Sequence, residues 1–290
     1  MRINPVLKNE VKISCRSVKF TLVIFFYVGI LSAIGIFAIN QIVKEAYYRG
    51  LNFGNIIPFY TVMAIVQAIL LMFIVPALTS TAICSEREKQ TLDVLLSTSM
   101  STVSIIMGKL SSSISRVILL IICTIPVYSL AFLFGGIKIQ YLLELSIFFI
   151  VATIFVGTIG VFISTIVKSS KAATAIVYGI VLAIFVLLAL GTIIFINIKL
   201  QATDYSTVVD LPLWGYISPT IGFISLLSVQ TGEGFLGMHE SRGLNMTTIN
   251  YGFIISICFQ LIISALLIII SAYKLNPLNK GKFKRRRKRK

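Results

Sequence analysis

Six long apolar runs constrain this chain more than any other feature of its sequence. They cover approximately residues Phe20–Ile39, Ile56–Ile83, Val117–Phe134, Leu142–Val167, Ala172–Ile196 and Ile249–Tyr273. An apolar run of about 20 residues crosses a hydrocarbon core of roughly 30 Å as an α-helix, because every backbone polar group is then bonded within its own segment. The sequence therefore predicts an all-α polytopic membrane protein with six transmembrane helices.

Basic residues are distributed unequally between the two sets of connections. Residues 1–19 carry five Lys and Arg, residues 84–110 three, residues 168–171 two and residues 274–290 ten, against five on the opposite side. Because cytoplasmic loops carry an excess of Lys and Arg, both termini are predicted to be cytoplasmic. We interpret the chain as a multi-pass protein of a cell membrane, of the bacterial cytoplasmic type.

The predicted organisation is one transmembrane domain, residues 1–275, followed by a polybasic cytoplasmic tail, residues 276–290. Residues 1–19 are predicted to form an amphipathic interfacial helix. An N-cap residue and a proline indicate its start, and its apolar residues then recur every three or four positions. The tail suits contact with anionic lipid headgroups or with an acidic partner, and nucleic acid is the least favoured ligand. Its central basic residues are Lys284, Arg285, Arg286 and Arg287.

Residues 197–248 are predicted to form an external loop. Its apolar stretch 208–228 is interrupted by prolines and glycines too often for an uninterrupted spanning helix. Short re-entrant or interfacial helices fit this pattern better, with Trp214 and Tyr216 at the level of the lipid headgroups.

The sequence contains no recognisable catalytic, metal or nucleotide site. His239 is the single histidine, and no His, Cys, Asp and Glu residues have metal-ligand spacing. Neither Gly-Lys pair, at Lys109 and Lys282, has the glycine and hydroxyl neighbours of a P-loop. We therefore predict that the chain is not an enzyme by itself, and that any ATP would be bound by another polypeptide.

Few polar residues fall within the predicted spans. Arg116 is placed at the cytoplasmic end of the third span and Glu144 at the external end of the fourth. Gln67 and Ser112 are candidate path-lining residues together with Arg116, although small polar residues more often serve helix packing. The absence of acids near the midplane disfavours a self-contained secondary transporter or channel, which remains the alternative function. A membrane-embedded enzyme, sensor or scaffold has still weaker support.

The connection over residues 84–101, CSEREKQTLDVLLSTSMS, concentrates charge between two apolar runs. Ser85 and Glu88 have the spacing of a capping box, which predicts one short helix on the cytoplasmic face. Leu92, Leu95 and Leu96 would form its apolar face. Ser101 is predicted to cap the next helix.

This connection resembles the coupling loop of the type-2 ABC exporter permeases. That family has a Glu-x-Glu-x-Gly-Thr-Leu-Glu-x-Leu-Leu run followed by a Gly-Lys, which Gly108-Lys109 matches here. Gln90 stands in place of the usual glycine and Ser99 in place of a proline. A Ser-Pro element, Ser218-Pro219, also matches. The residues that the resemblance assigns to ATPase coupling are Glu86, Arg87, Glu88, Lys89, Thr91, Leu92, Asp93, Leu95 and Leu96.

The resemblance implies a dimer of permeases, identical or homologous, each bound to a cytoplasmic P-loop ATPase subunit. ATP and Mg²⁺ would be held by that ATPase, and no cofactor would bind this chain directly. The short helix would dock on the ATPase and transmit its motion to the spans. The predicted function is the permease subunit of an ABC exporter for a hydrophobic or amphipathic cargo, such as a peptide, an antibiotic or a lipid-like molecule.

Overall fold

The protein folds into six long apolar helices with short helices between them. A computed structural model describes residues 17–49, 56–97, 101–133, 138–202, 211–232 and 246–275. Within this part of the chain every regular element is helical. The six spans are Val18–Arg49, Ile56–Thr79, Thr102–Leu133, Ile139–Ile166, Ser170–Ala202 and Met246–Leu275. All six contain a segment long and apolar enough to cross a membrane, which confirms the predicted fold class.

Span three begins earlier than the sequence predicted. Its helix starts at Thr102, where the Ser101 hydroxyl accepts a hydrogen bond from the Ser104 amide at 3.2 Å, so the predicted cap is confirmed. The serine-rich segment that follows continues the helix. Arg116 therefore lies near the middle of this 32-residue helix, and its position at the cytoplasmic end of the membrane-crossing part stays a prediction.

Span four lies at the centre of the bundle. Of its apolar segment 67% is buried, against 17% for spans one and six. It packs against spans two, three, five and six. Gly160 allows the closest approach, because a Cβ atom at this position would lie 2.2 Å from the Thr79 hydroxyl of span two. The ends of spans two and four are thereby held together at the predicted cytoplasmic side.

Two short elements, a helical turn at Leu213–Ile217 and a helix at Pro219–Thr231, connect spans five and six. We call Pro219–Thr231 the buried helix, because most of its side chains are enclosed, mainly against span six. Trp214 is partly exposed, whereas Tyr216 is 4% exposed and packs beside Gly252 of span six. Tyr216 is thus enclosed by protein, and the placement of Trp214 and Tyr216 at headgroup level stays a prediction.

Candidate functional site

The loop between spans two and three contains two short helices where one was predicted. The first loop helix is Cys84–Glu88 and the second is Leu92–Ser97. Gln90 lies between them with φ 59°, the left-handed region that glycine adopts most readily. The change of direction occurs at this position, so the single continuous helix was a wrong prediction.

The first loop helix is capped from another part of the chain. The Ser164 hydroxyl of span four accepts hydrogen bonds from the amides of Ile83 and Cys84, both at 2.9 Å. The helix begins at Cys84 without a side-chain cap from its own N-cap residue. The predicted capping box of Ser85 and Glu88 was wrong, because span four supplies the acceptor and the Glu88 side chain has another partner.

Arg87 and Glu88 join the loop to the connection between spans four and five. The Arg87 guanidinium donates to the carbonyls of Val167, at 2.8 Å, and Thr165, at 3.1 Å. The Glu88 carboxylate accepts from the Ser170 amide, at 2.8 Å, and from its hydroxyl, at 2.6 Å. The cation thus binds carbonyls at the C-terminal end of span four and the anion caps the start of span five, as the helix dipoles favour.

Glu86 joins the same loop to span three. Its carboxylate pairs with the Lys109 ammonium at 2.7 Å and also accepts a hydrogen bond from the Thr91 hydroxyl. Lys109 is 9% exposed, so water screens this pair less than an ion pair on the surface. Glu86, Arg87 and Glu88 therefore bind spans three, four and five respectively, and we call these contacts the loop staple.

The leucine face of the loop points into the protein. Leu92 is buried beside Ile106 and Leu110 of span three. Leu96 is partly buried and packs against the same cluster. The predicted apolar face thus packs at Leu92 and Leu96 against the loop's own neighbours, and the coupling roles of these two residues stay predictions. The residues of the tip that face solvent are Glu88, Lys89, Gln90, Thr91 and Asp93.

This arrangement places a charged, solvent-facing tip on a loop bonded to three spans. The family model described as "ABC-2 family transporter protein" matches residues 5–273, which include all six spans. The chain belongs to the ABC-2 transporter family. It is a multi-pass membrane permease of a transporter that works with an ATPase subunit. No curated protein gives a significant match to the chain.

Of the three candidate path-lining residues, Gln67 and Ser112 are buried and Arg116 is partly exposed. Gln67 is 1% exposed and donates to the Thr124 hydroxyl of span three at 3.3 Å. Ser112 is fully buried, and Arg116 donates to the Ser113 hydroxyl of its own helix at 3.0 Å. These contacts join spans two and three or stay within span three, so the roles of all three residues in a transport path stay predictions.

Several predicted features lie outside the described residues. These are the interfacial helix up to residue 16 and the basic tail that contains Lys284, Arg285, Arg286 and Arg287. The side chain of Leu95 also lies outside the described part of the chain, although its backbone belongs to the second loop helix. The assigned coupling role of Leu95 and the lipid contact of the tail stay predictions.

Two hydrogen-bond partners of the loop were missed by sequence reasoning. Ser164 and Ser170 lie about 80 residues from their loop partners. A serine near the end of an apolar run has no local pattern that distinguishes a long-range acceptor from a packing residue. Lys109 was found only through the family resemblance.

Gln90→Gly is expected to stabilise the loop. A residue with a Cβ atom in the left-handed region is strained by roughly 1–2 kcal/mol, and glycine removes this strain at some cost in unfolded-state entropy. We expect a net gain of about 0.5–1 kcal/mol in the free energy of unfolding, measured by thermal denaturation of the purified permease. Lys89→Gly is the control and should be destabilising, because Lys89 has φ −79°. A Gln90→Gly protein less stable than the wild type would contradict this explanation of the turn.

Proposed function

We propose that this permease is the membrane subunit of an ATP-driven exporter and that its 84–101 loop receives the motion of a separate ATPase subunit. The loop staple carries this proposal. A tip that moves under an external force would pull on Lys109 of span three, on the carbonyls at the end of span four and on Ser170 of span five. A solvated connector has no need of contacts with three spans.

The tip has the chemistry of a protein docking surface. Lys89 and Asp93 are exposed, carry opposite charges and lie on either side of the turn at Gln90. Charged groups at an interface determine orientation and partner choice more than raw affinity. The staple leaves the Lys89 and Asp93 side chains directed to solvent, so the ATPase would bind the tip without breaking the contacts that transmit its motion.

The cargo and the assembly are also parts of this proposal. Apolar spans suit a hydrophobic or amphipathic cargo, such as a peptide, an antibiotic or a lipid-like molecule. A second permease, identical or homologous, would complete the membrane part of the transporter. The ATPase would hold ATP and Mg²⁺, and anionic lipids would bind the basic tail.

Charge reversal at the tip tests the docking role. Lys89→Glu and Asp93→Lys should each reduce recovery of the P-loop ATPase with tagged permease by at least about tenfold, equivalent to 1.4 kcal/mol. Recovery is measured by quantitative mass spectrometry of detergent-solubilised complexes. Lys138→Glu makes the same charge change as Lys89→Glu at an exposed position before span four, on the opposite face, and should leave recovery unchanged. Equal recovery from Lys89→Glu and wild type, or none from the wild type, would contradict the proposal.

A further inference from the structure

A cavity of about 320 Å³ lies between spans two, four and five and the buried helix. Span two contributes Ala68 and Met72 to its wall, and span four contributes Phe149 and Ala152. The remaining wall includes Phe223 of the buried helix. None of these residues belongs to the loop staple, so the cavity is a separate feature of the permease.

The cavity wall is almost entirely apolar. Its two hydroxyl side chains are Thr153 and Thr220. Thr153 donates to the Phe149 carbonyl and Thr220 to the Phe185 carbonyl, both at 2.7 Å. Both hydroxyl protons are therefore used within the protein, and the two hydroxyl oxygens are poor sites for a water molecule, which needs two to four polar partners. The cavity therefore suits an apolar occupant.

The mouth of the cavity opens at the depth of the hydrocarbon core. Ile69 of span two and Val186 of span five stand at the rim and are 49% and 39% exposed. Both lie well inside segments apolar enough to cross a membrane. The solvent at this depth is lipid acyl chain, which is present at high concentration and needs no polar partner.

The walls of the cavity are held in place by contacts that do not depend on an occupant. Span five contains a π-helical segment, Ala183–Leu187, whose Phe185 carbonyl accepts the Thr220 hydroxyl of the buried helix. The ring of Phe223 lies 6.1 Å from that of Phe148 and 5.8 Å from that of Phe149, between ring centroids. Span five, the buried helix and span four are thus joined around the cavity, so it is preformed.

We propose that this cavity binds one acyl chain of a membrane phospholipid. Its volume corresponds to about ten groups of the size of a water molecule, enough for a large part of one chain. A helix of a second permease is about 10 Å across and is too wide to enter the cavity, although it could cover the mouth. The site needs only the membrane location of the permease and is independent of the proposed export function.

Photolabelling tests the site directly. The purified permease is reconstituted in phosphatidylethanolamine and phosphatidylglycerol vesicles that contain a phospholipid with a diazirine at the middle of one acyl chain. After illumination, mass spectrometry locates the adducts. We expect adducts on wall residues such as Phe149 and Phe223. Ala152→Trp, which fills the cavity, should reduce them by at least about fivefold, the effect of about 1 kcal/mol.

Two further variants control for folding and for general lipid contact. Ala68→Phe fills the cavity from the wall of span two and should have the same effect if Ala152→Trp fails to fold. Ile147→Trp introduces the same tryptophan side chain on span four at a position 57% exposed and outside the cavity wall, so wall labelling should persist. Wall adducts that survive both filling variants would overturn the proposal. Efficient Ile69→Cys cross-linking between two permeases without wall adducts would also overturn it, because a second copy would then cover the mouth.

Discussion

Arg87→Ala is expected to loosen the connection between the loop and the end of span four in a permease that still folds and still binds its ATPase. Alanine leaves the carbonyls of Thr165 and Val167 without the guanidinium that binds both. A hydrogen bond to a charged group contributes about 1.5–3 kcal/mol, so loss of two is a large change for one connection. The central core, in which Arg87 takes no part, keeps the bundle folded.

Hydrogen exchange gives a measurement of this effect that does not require the cargo. Amides of residues 164–175 should exchange at least about tenfold faster in Arg87→Ala than in the wild type. Addition of a nucleotide analogue to the permease–ATPase complex should alter exchange in this segment of the wild type and leave the variant unchanged.

Two controls separate the staple from simple loss of charge. Lys168→Ala removes one positive charge from an exposed position in the same connection and should retain both the protection and the nucleotide response. Arg87→Lys keeps the charge but lacks the planar guanidinium that donates two hydrogen bonds. Its amide exchange and nucleotide response are therefore expected to lie between those of Arg87→Ala and the wild type. Wild-type exchange and a wild-type nucleotide response in Arg87→Ala would show that the staple does not carry coupling.

The fold could be predicted because its determinant is local. Runs of about 20 apolar residues have one stable arrangement in a bilayer, whatever the rest of the chain does. The start of span three shows that an apolar run does not by itself predict the residue at which a helix begins. Polar residues before Val117 looked like the end of a span, yet Ser104 and its neighbours are helical, because the Ser101 cap and the packing of Ile105 and Ile106 determine where the helix begins.

The site was predictable in location but not in its contacts. Charge concentration and the family resemblance identified Glu86, Arg87 and Glu88, and both are visible in a short stretch of sequence. Their partners are not, because Ser164 and Ser170 come near only after spans two, four and five pack together. The capping box failed for the same reason. A capping motif in the local sequence competes with hydrogen-bond acceptors from other parts of the fold. Here the Ser164 hydroxyl of span four is the acceptor.

The break at Gln90 had a sequence signal that could be interpreted further. The resemblance places a glycine there, and the structure shows why: the backbone has positive φ at this position. The turn orients the second loop helix so that Leu92 reaches the inner cluster while Lys89 and Asp93 face solvent. The inward leucines and the exposed charges are therefore two results of one backbone geometry.

Gly160→Ala is expected to destabilise the permease strongly through the addition of a single methyl group. The new Cβ atom would lie 2.2 Å from the Thr79 hydroxyl, 2.8 Å from its Cβ atom and 3.2 Å from its backbone carbonyl carbon. Rotation of the Thr79 side chain relieves only the first of these contacts, so spans two and four must separate. Overpacking of this kind costs about 1–3 kcal/mol, and we expect the upper end of that range.

Thermal denaturation of the purified permease measures the loss, with Gly179→Ala as the matched control. A Cβ atom at Gly179 would have no neighbour within 4 Å, so the same substitution in span five should be neutral or stabilising by up to about 1 kcal/mol. Thr79→Gly combined with Gly160→Ala should recover part of the stability.

Because Gly160 lies one turn before Ser164, separation of the spans also moves the acceptor that caps the first loop helix. Gly160→Ala should therefore increase hydrogen exchange at residues 83–88. Equal melting temperatures for Gly160→Ala and Gly179→Ala would show that spans two and four do not need this close contact to position the loop.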